Sequence, residues 1–147
     1  MPQGFQGRQH SACKEIFKHN GTSCIFVAIK NELTMLSVEK LSTKETPYYL
    51  YDAELLKRTV DEAARLSVLH GIEVHYAIKA NNDARLLKTV AAAGMGADCV
   101  SGNEVLAAME AGFPAEKVFY TGVGKTDREI SSCLKLGIGC FNCESIE

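Results

Sequence analysis

The chain has 147 residues, the length of one ordinary domain, and is long enough to bury a hydrophobic core. It is 46% hydrophobic and 23% charged with a net charge of −2, which is typical of a globular protein and offers no basic surface for nucleic acid. The apolar run 24–29 is too short to span a bilayer, and no basic segment leads it into a cleavage site. We therefore expect a cytoplasmic protein.

Residues 1–34 have mixed polarity and no apolar stripe, and we assign no domain to them. An aromatic strand is predicted over 46–51. It leads into a helix over 53–69, which Asp52 caps and whose apolar stripe includes Val60.

From Ile72 onward, strands and helices alternate at nearly constant spacing. The strand cores begin near Val74, Ala97, Val118 and Gly139. The helices between them open on a polar cap and close on a glycine: Asn82 and Gly94, Ser101 and Gly112, Thr126 and Gly137. This alternation predicts an α/β fold with parallel strands joined by right-handed crossovers.

Lys79 stands where the first of these strands gives way to a loop. The carboxyl ends of parallel strands are where barrel enzymes hold their reactive side chains. A lysine enclosed there by apolar neighbours would keep a neutral amine that can attack an aldehyde. The other interpretation is a strand-terminal lysine that extends into solvent.

Two further patterns invite a functional interpretation that the residues do not support. The run 122–126 resembles the end of a P-loop, but Phe119 stands where that motif requires its first glycine, so we expect a tight turn and a helix beginning at Thr126.

The six cysteines fall in apolar segments, which predicts reduced core thiols. Cys140 and Cys143 lie three apart on a predicted strand and so point to opposite faces, which disfavours a shared metal.

The ordered blocks 76–81, 96–104, 119–126 and 140–145 together resemble the amino-terminal half of meso-diaminopimelate decarboxylase. That family belongs to the pyridoxal-phosphate enzymes with an alanine-racemase-like barrel. The resemblance implies that 35–147 forms a truncated barrel domain, about the first four β/α units of a (β/α)8 TIM-type barrel of a fold-type III enzyme, without the family's carboxy-terminal β-domain. Family members often begin near Met35, so we expect residues 1–34 to be a translated upstream stretch or a poorly ordered extension.

The resemblance also assigns roles to individual residues. It places pyridoxal 5'-phosphate covalently on Lys79 and uses the small Ala77, two residues earlier, to leave room for the cofactor ring. Asp98 and Glu104 match family positions that line the cofactor pocket. Glu104 has an equally good structural explanation as the third residue of the Ser101 capping box. No metal is expected.

The activity implied by the resemblance is decarboxylation of meso-2,6-diaminopimelate to L-lysine and carbon dioxide, on a small amino-acid substrate, by a protein that is a homodimer at full length. The phosphate loop and several other family site residues lie beyond Glu147, so we expect the chain alone to be inactive. The alternatives are an ornithine, arginine or carboxynorspermidine decarboxylase on the same barrel, or a non-catalytic homologue. An alanine racemase is disfavoured because 80–84 lacks the run that follows the lysine in that family.

Overall fold

The computed structural model describes residues 14–19, 22–27 and 45–145, with side chains from residue 45 onward. The chain divides into two compact units, Met1–Leu56 and Lys57–Glu147. The division falls within a helix, whereas the sequence analysis placed the domain boundary between residues 34 and 35, which stays a prediction.

The described part of the first unit is a three-stranded sheet. Strands β1 (Lys14–His19) and β2 (Thr22–Val27) pair antiparallel, and β3 (Tyr48–Asp52) pairs with β2 in parallel. The aromatic residues of β3 favour an extended backbone, and the strand predicted over 46–51 is confirmed. Strands β1 and β2 fall within residues 1–34, for which no domain was assigned, and the rest of that segment lies outside the described residues.

Helix α1 (Ala53–His70) follows β3 directly, as the sequence predicts. The backbone N–H of Leu55 donates to Oδ1 of Asp52 at 2.8 Å, which satisfies one of the amides left unpaired at a helix start. The ion pairs Lys57–Asp61 and Arg65–Glu62 lie along the exposed side of the helix. Val60 is buried.

The second unit contains the predicted parallel sheet. Its strands are β4 (His75–Ala77), β5 (Gly96–Cys99), β6 (Val118–Tyr120) and β7 (Cys140–Phe141). They lie side by side in chain order, every neighbouring pair parallel. The helices between them are α2 (Ala84–Ala92), α3 (Gly102–Ala111) and α4 (Asp127–Leu136). The predicted partial β/α barrel is therefore confirmed, and each strand begins within one residue of its predicted position.

Two of the three predicted caps in this unit are confirmed, and one is wrong. Ser101 and Thr126 cap α3 and α4 through their hydroxyls. Helix α2 is capped by Asp83 and not by Asn82. The reason lies one residue earlier, because Oδ1 of Asn81 accepts the backbone N–H of Asp83 at 2.8 Å and the resulting turn places Asp83 at the helix start.

The sheet has one covered face and one open face. Alternate residues Ala97, Cys99, Val118 and Tyr120 are at most 1% exposed, and they share the core with apolar residues of α2, α3 and α4. Right-handed crossovers place the three helices on the same side of a parallel sheet, which explains this layering. The opposite face carries Ala77, Asp98 and Phe119, which pair in register across three strands and are only partly buried.

At the amino-terminal end of the open face, His75 lies across Gly96. The imidazole stacks on the ring of Phe119 with centroids 4.1 Å apart. A Cβ at residue 96 would lie 2.3 Å from Nδ1 of His75 and 2.7 Å from the carbonyl oxygen of Lys117. Glycine is therefore required here to let the histidine bridge from β4 to β6, and His75 has a packing role in the sheet.

Gly96→Ala should consequently destabilise the protein. The added methyl group meets a backbone carbonyl as well as the imidazole, and overpacking of this kind costs about 1–3 kcal/mol in the free energy of unfolding. Urea denaturation measures the change. Gly124→Ala is the matched control, because a Cβ at residue 124 meets no atom within 4 Å. Equal stability of the two variants would contradict the His75–Phe119 packing.

Candidate functional site

Lys79 lies at the carboxyl end of β4, on a single 3-10 turn formed by Ile78–Ala80. Ile78 is fully buried and anchors the turn, while Lys79 is exposed. The hydroxyl of Tyr76 donates to the carbonyl of Asn81 at 3.2 Å and braces the turn from the strand side. The predicted position at a strand end is confirmed, but the apolar enclosure considered for the amine is not provided by the described residues.

The open face brings two predicted site residues together at the same level of the sheet. Ala77 and Asp98 are register partners on β4 and β5, so their side chains project from the same face. Lys79 does not continue the strand that carries Ala77, because β4 ends at Ala77 and Lys79 belongs to the short turn that follows it.

Thr121 is a site residue that the sequence analysis missed. Its hydroxyl donates to Oδ1 of Asp98 at 2.5 Å from the position directly after β6. A polar residue at the carboxyl end of the neighbouring strand was the available signal, since the ends of parallel strands meet at one edge.

Glu104 has a structural role in the described chain. Its backbone N–H donates to Oγ of Ser101 at 3.3 Å, and its Oε2 accepts the N–H of Val100 at 2.8 Å. In a regular capping box the carboxylate would accept the N–H of Ser101, so here it reaches one residue further back. A further role of Glu104 in the cofactor pocket stays a prediction.

Lys125 joins the loops that follow β6 and β7. Its ammonium donates to the carbonyl of Gly122 and, at 2.6 Å, to that of Asn142, and it lies 5.2 Å from the centre of the Tyr120 ring. These contacts give Lys125 a structural role, because they hold the two loops together.

Glu129 links the starts of α3 and α4. Its carboxylate accepts the hydroxyl of Thr126 at 2.8 Å, the N–H of Thr126 at 3.1 Å and the N–H of Gly102 at 3.1 Å. Hydrogen bonds from Thr126 and from the Gly102 amide lower the pKa of Glu129 from 4.5 to about 2. The predicted capping box at Thr126 is thus confirmed, and its glutamate also ties two neighbouring β/α units together.

The four cysteines with described side chains divide into two groups, and the core-thiol prediction for Cys13 and Cys24 lies outside the described side chains. Cys99 and Cys133 are buried, and burial raises the pKa of Cys99 to about 12 and also raises the pKa of Cys133, as expected for inert core thiols. Cys140 and Cys143 are exposed, so the prediction of core thiols is wrong for these two, because β7 has only two residues and the chain leaves the sheet after it. Within the described ranges, no group of three histidine, cysteine or acidic side chains could hold a metal ion.

The family model for the pyridoxal-binding domain of pyridoxal-dependent decarboxylases matches residues 54–147. The chain belongs to this family. Its curated relatives include diaminopimelate decarboxylases from Bacteroides thetaiotaomicron, 46% identical over 110 residues and 74% of this chain, and from Aquifex aeolicus, 39% identical over 75% of this chain. The chain covers only 28% and 27% of those two relatives, about a quarter of their length.

A solved structure of the same kind agrees with the fold. A diaminopimelate decarboxylase mutant from Helicobacter pylori, crystallised with L-lysine, superposes with a TM-score of 0.65 at 35% identity, over 74% of this chain and 27% of its own. Within the part of the chain that the structure describes, no helix is both long and apolar enough to cross a membrane.

The cofactor of this family is pyridoxal 5'-phosphate, and the residues at the open edge fit it. Lys79 offers an exposed amine for attachment to the aldehyde, and no ion pair within the described ranges engages it. Ala77, two residues earlier, has a small side chain, and Asp98 supplies an acid on the neighbouring strand.

Lys125→Met should loosen the edge of the sheet. Removing the ammonium leaves two loop carbonyls without their donor, so we expect amide exchange at Asn142, whose N–H donates to the Tyr120 carbonyl, to accelerate roughly tenfold. Hydrogen–deuterium exchange resolves this amide. Lys135→Met, which removes an exposed lysine of α4, should leave that rate unchanged. An unchanged rate in both variants would show that the Lys125 contacts do not hold the loops.

Because of Glu129, the free energy of unfolding should depend on pH in the acid range. Because its pKa is lowered in the folded state, its contribution is present above 4.5 and is lost as the pH falls toward about 2. We expect Glu129→Gln to be less stable than the natural chain at pH 7 and to lose less stability over that acid range. Urea midpoints at several pH values measure both effects. Glu110→Gln, at an exposed site on α3, serves as control and should follow the natural chain.

Proposed function

We propose that this chain supplies the lysine-bearing edge of a decarboxylase that converts meso-2,6-diaminopimelate to L-lysine and carbon dioxide. The observation that carries the proposal is the exposed amine of Lys79 on a braced turn, with Asp98 on the adjoining strand. The relatives named as diaminopimelate decarboxylases, at 46% and 39% identity, support this substrate over ornithine, arginine or carboxynorspermidine.

When bound, pyridoxal phosphate supplies an electron sink for the carbanion left by loss of carbon dioxide. The task of the protein's own residues at this edge is to hold and orient the cofactor. Ile78, buried beneath the turn, fixes the backbone from which the Lys79 amine projects. The small side chain of Ala77 keeps the adjacent position on the open face clear.

Asp98 provides the negative charge of the site. We propose that this carboxylate pairs with a cationic nitrogen at Lys79, because opposite charges attract more strongly in a partly enclosed site than in water. Its position opposite Ala77 is set by the β4–β5 register and does not depend on any loop.

The chain spans about a quarter of the length of its curated relatives. We therefore propose that the chain attaches pyridoxal phosphate at Lys79 when the cofactor is in excess, and that it does not turn over diaminopimelate alone. A cytoplasmic location and a homodimeric full-length protein stay predictions from the sequence.

Borohydride reduction in excess pyridoxal phosphate tests the attachment. After peptide mapping, the natural chain should carry the reduced cofactor on the peptide that contains Lys79, and Lys79→Arg should lose that label because a guanidinium does not attack the aldehyde. Lys88→Arg, at an exposed site on α2, is the matched control and should keep it. Label spread evenly over several lysines, and unaffected by Lys79→Arg, would favour the non-catalytic homologue.

A further inference from the structure

We propose that Thr121 is a positioning residue for the acid of the site, fixing the Asp98 carboxylate through a hydroxyl hydrogen bond so that its other oxygen can meet a cation at Lys79. This inference rests on the proposed function, since it assigns Asp98 a partner at that lysine.

The direction of the hydrogen bond follows from the acceptors within reach. The Thr121 hydroxyl has one proton and lies 2.5 Å from Oδ1 of Asp98 and 3.4 Å from the carbonyl oxygen of Cys99. That carbonyl already accepts the backbone N–H of Thr121 at 2.8 Å. The carboxylate oxygen is the closer acceptor and carries charge, so the Thr121 hydroxyl donates its hydrogen bond to Asp98.

The backbone holds the hydroxyl in place independently of Asp98. The bond from the Thr121 N–H to Cys99 continues the β5–β6 ladder by one residue. Directly after it, Gly122 lies so close to Val100 that a Cβ would be 2.0 Å from the Val100 carbonyl oxygen. The end of β6 is therefore fixed against β5, and Thr121 meets Asp98 without further ordering of the chain.

The hydrogen bond from Thr121 engages only one of the two carboxylate oxygens of Asp98. Oδ1 accepts from Thr121, and no donor within the described ranges is bonded to Oδ2. With one oxygen fixed, rotation of the carboxylate is restricted, and Oδ2 keeps its lone pairs for a group on the open face. On that face the register partner of Asp98 is Ala77, two residues before Lys79.

Three variants test the proposal, with pyridoxal phosphate as the probe and attachment at Lys79 as the readout. Thr121→Val is close to isosteric and lacks the donor, so the equilibrium constant for attachment should fall about tenfold, the size expected for a hydrogen bond to a charged group. Thr121→Ser keeps the hydroxyl and should stay within about twofold of the natural chain. The carboxyl ¹³C resonance of Asp98 should move in the valine variant and return in the serine variant.

A double-mutant cycle separates positioning from general destabilisation. In an Asp98→Ala background, Thr121→Val should have no further effect on attachment, because the group through which it acts is gone. The inference would be overturned if Thr121→Val lowered the equilibrium constant for attachment by its full factor in the Asp98→Ala background. It would also be overturned if Thr121→Val alone left that constant unchanged. Neither result would contradict the proposed function. Absence of attachment in the natural chain would overturn both.

Discussion

The parallel register of β4, β5 and β6 is the constraint on which the candidate site depends. It aligns Ala77, Asp98 and Phe119 on one face, and it turns the alternate residues of β5 and β6 into the core shared with the helices. The apolar residues of the covered face are buried, and the open face is left with small, acidic and aromatic side chains. A shift of one residue on β5 would turn Asp98 toward the helices and place Cys99 at the site.

Much of the polar chemistry at the carboxyl edge serves the fold itself. Glu104 bonds the Val100 amide, Lys125 bonds two loop carbonyls, and Glu129 bonds the starts of two helices. Each group satisfies backbone atoms that helix and strand ends leave without partners. Lys79 and the free oxygen of Asp98 differ from them because, among the described residues, neither is engaged in such a bond.

The chain belongs to the pyridoxal-dependent decarboxylase family, which offers a chemical reason why Lys79 and one oxygen of Asp98 make no bond to the described part of the fold. The chain spans about a quarter of its curated relatives, and the portion it contains includes a lysine and an acid at neighbouring strand ends. Thr121 extends this pair to a third strand, so that β4, β5 and β6 each contribute a residue at the same edge of the sheet.

The sequence alone determined the order of strands and helices after residue 72 and the caps at Ser101 and Thr126. It also determined the family and identified Lys79 as the residue of interest. These features depend on local spacing and on side chains near one another in the chain. It misplaced the cap of α2 by one residue and the environment of Cys140 and Cys143, because a turn and a two-residue strand depend on contacts rather than on pattern. Only the tertiary structure decided that Thr121 binds Asp98, that His75 crosses Gly96 to reach Phe119, and that Lys125 and Glu129 join neighbouring loops and helices. These pairs are far apart in sequence, and their geometry is set by strand register, which no single segment encodes.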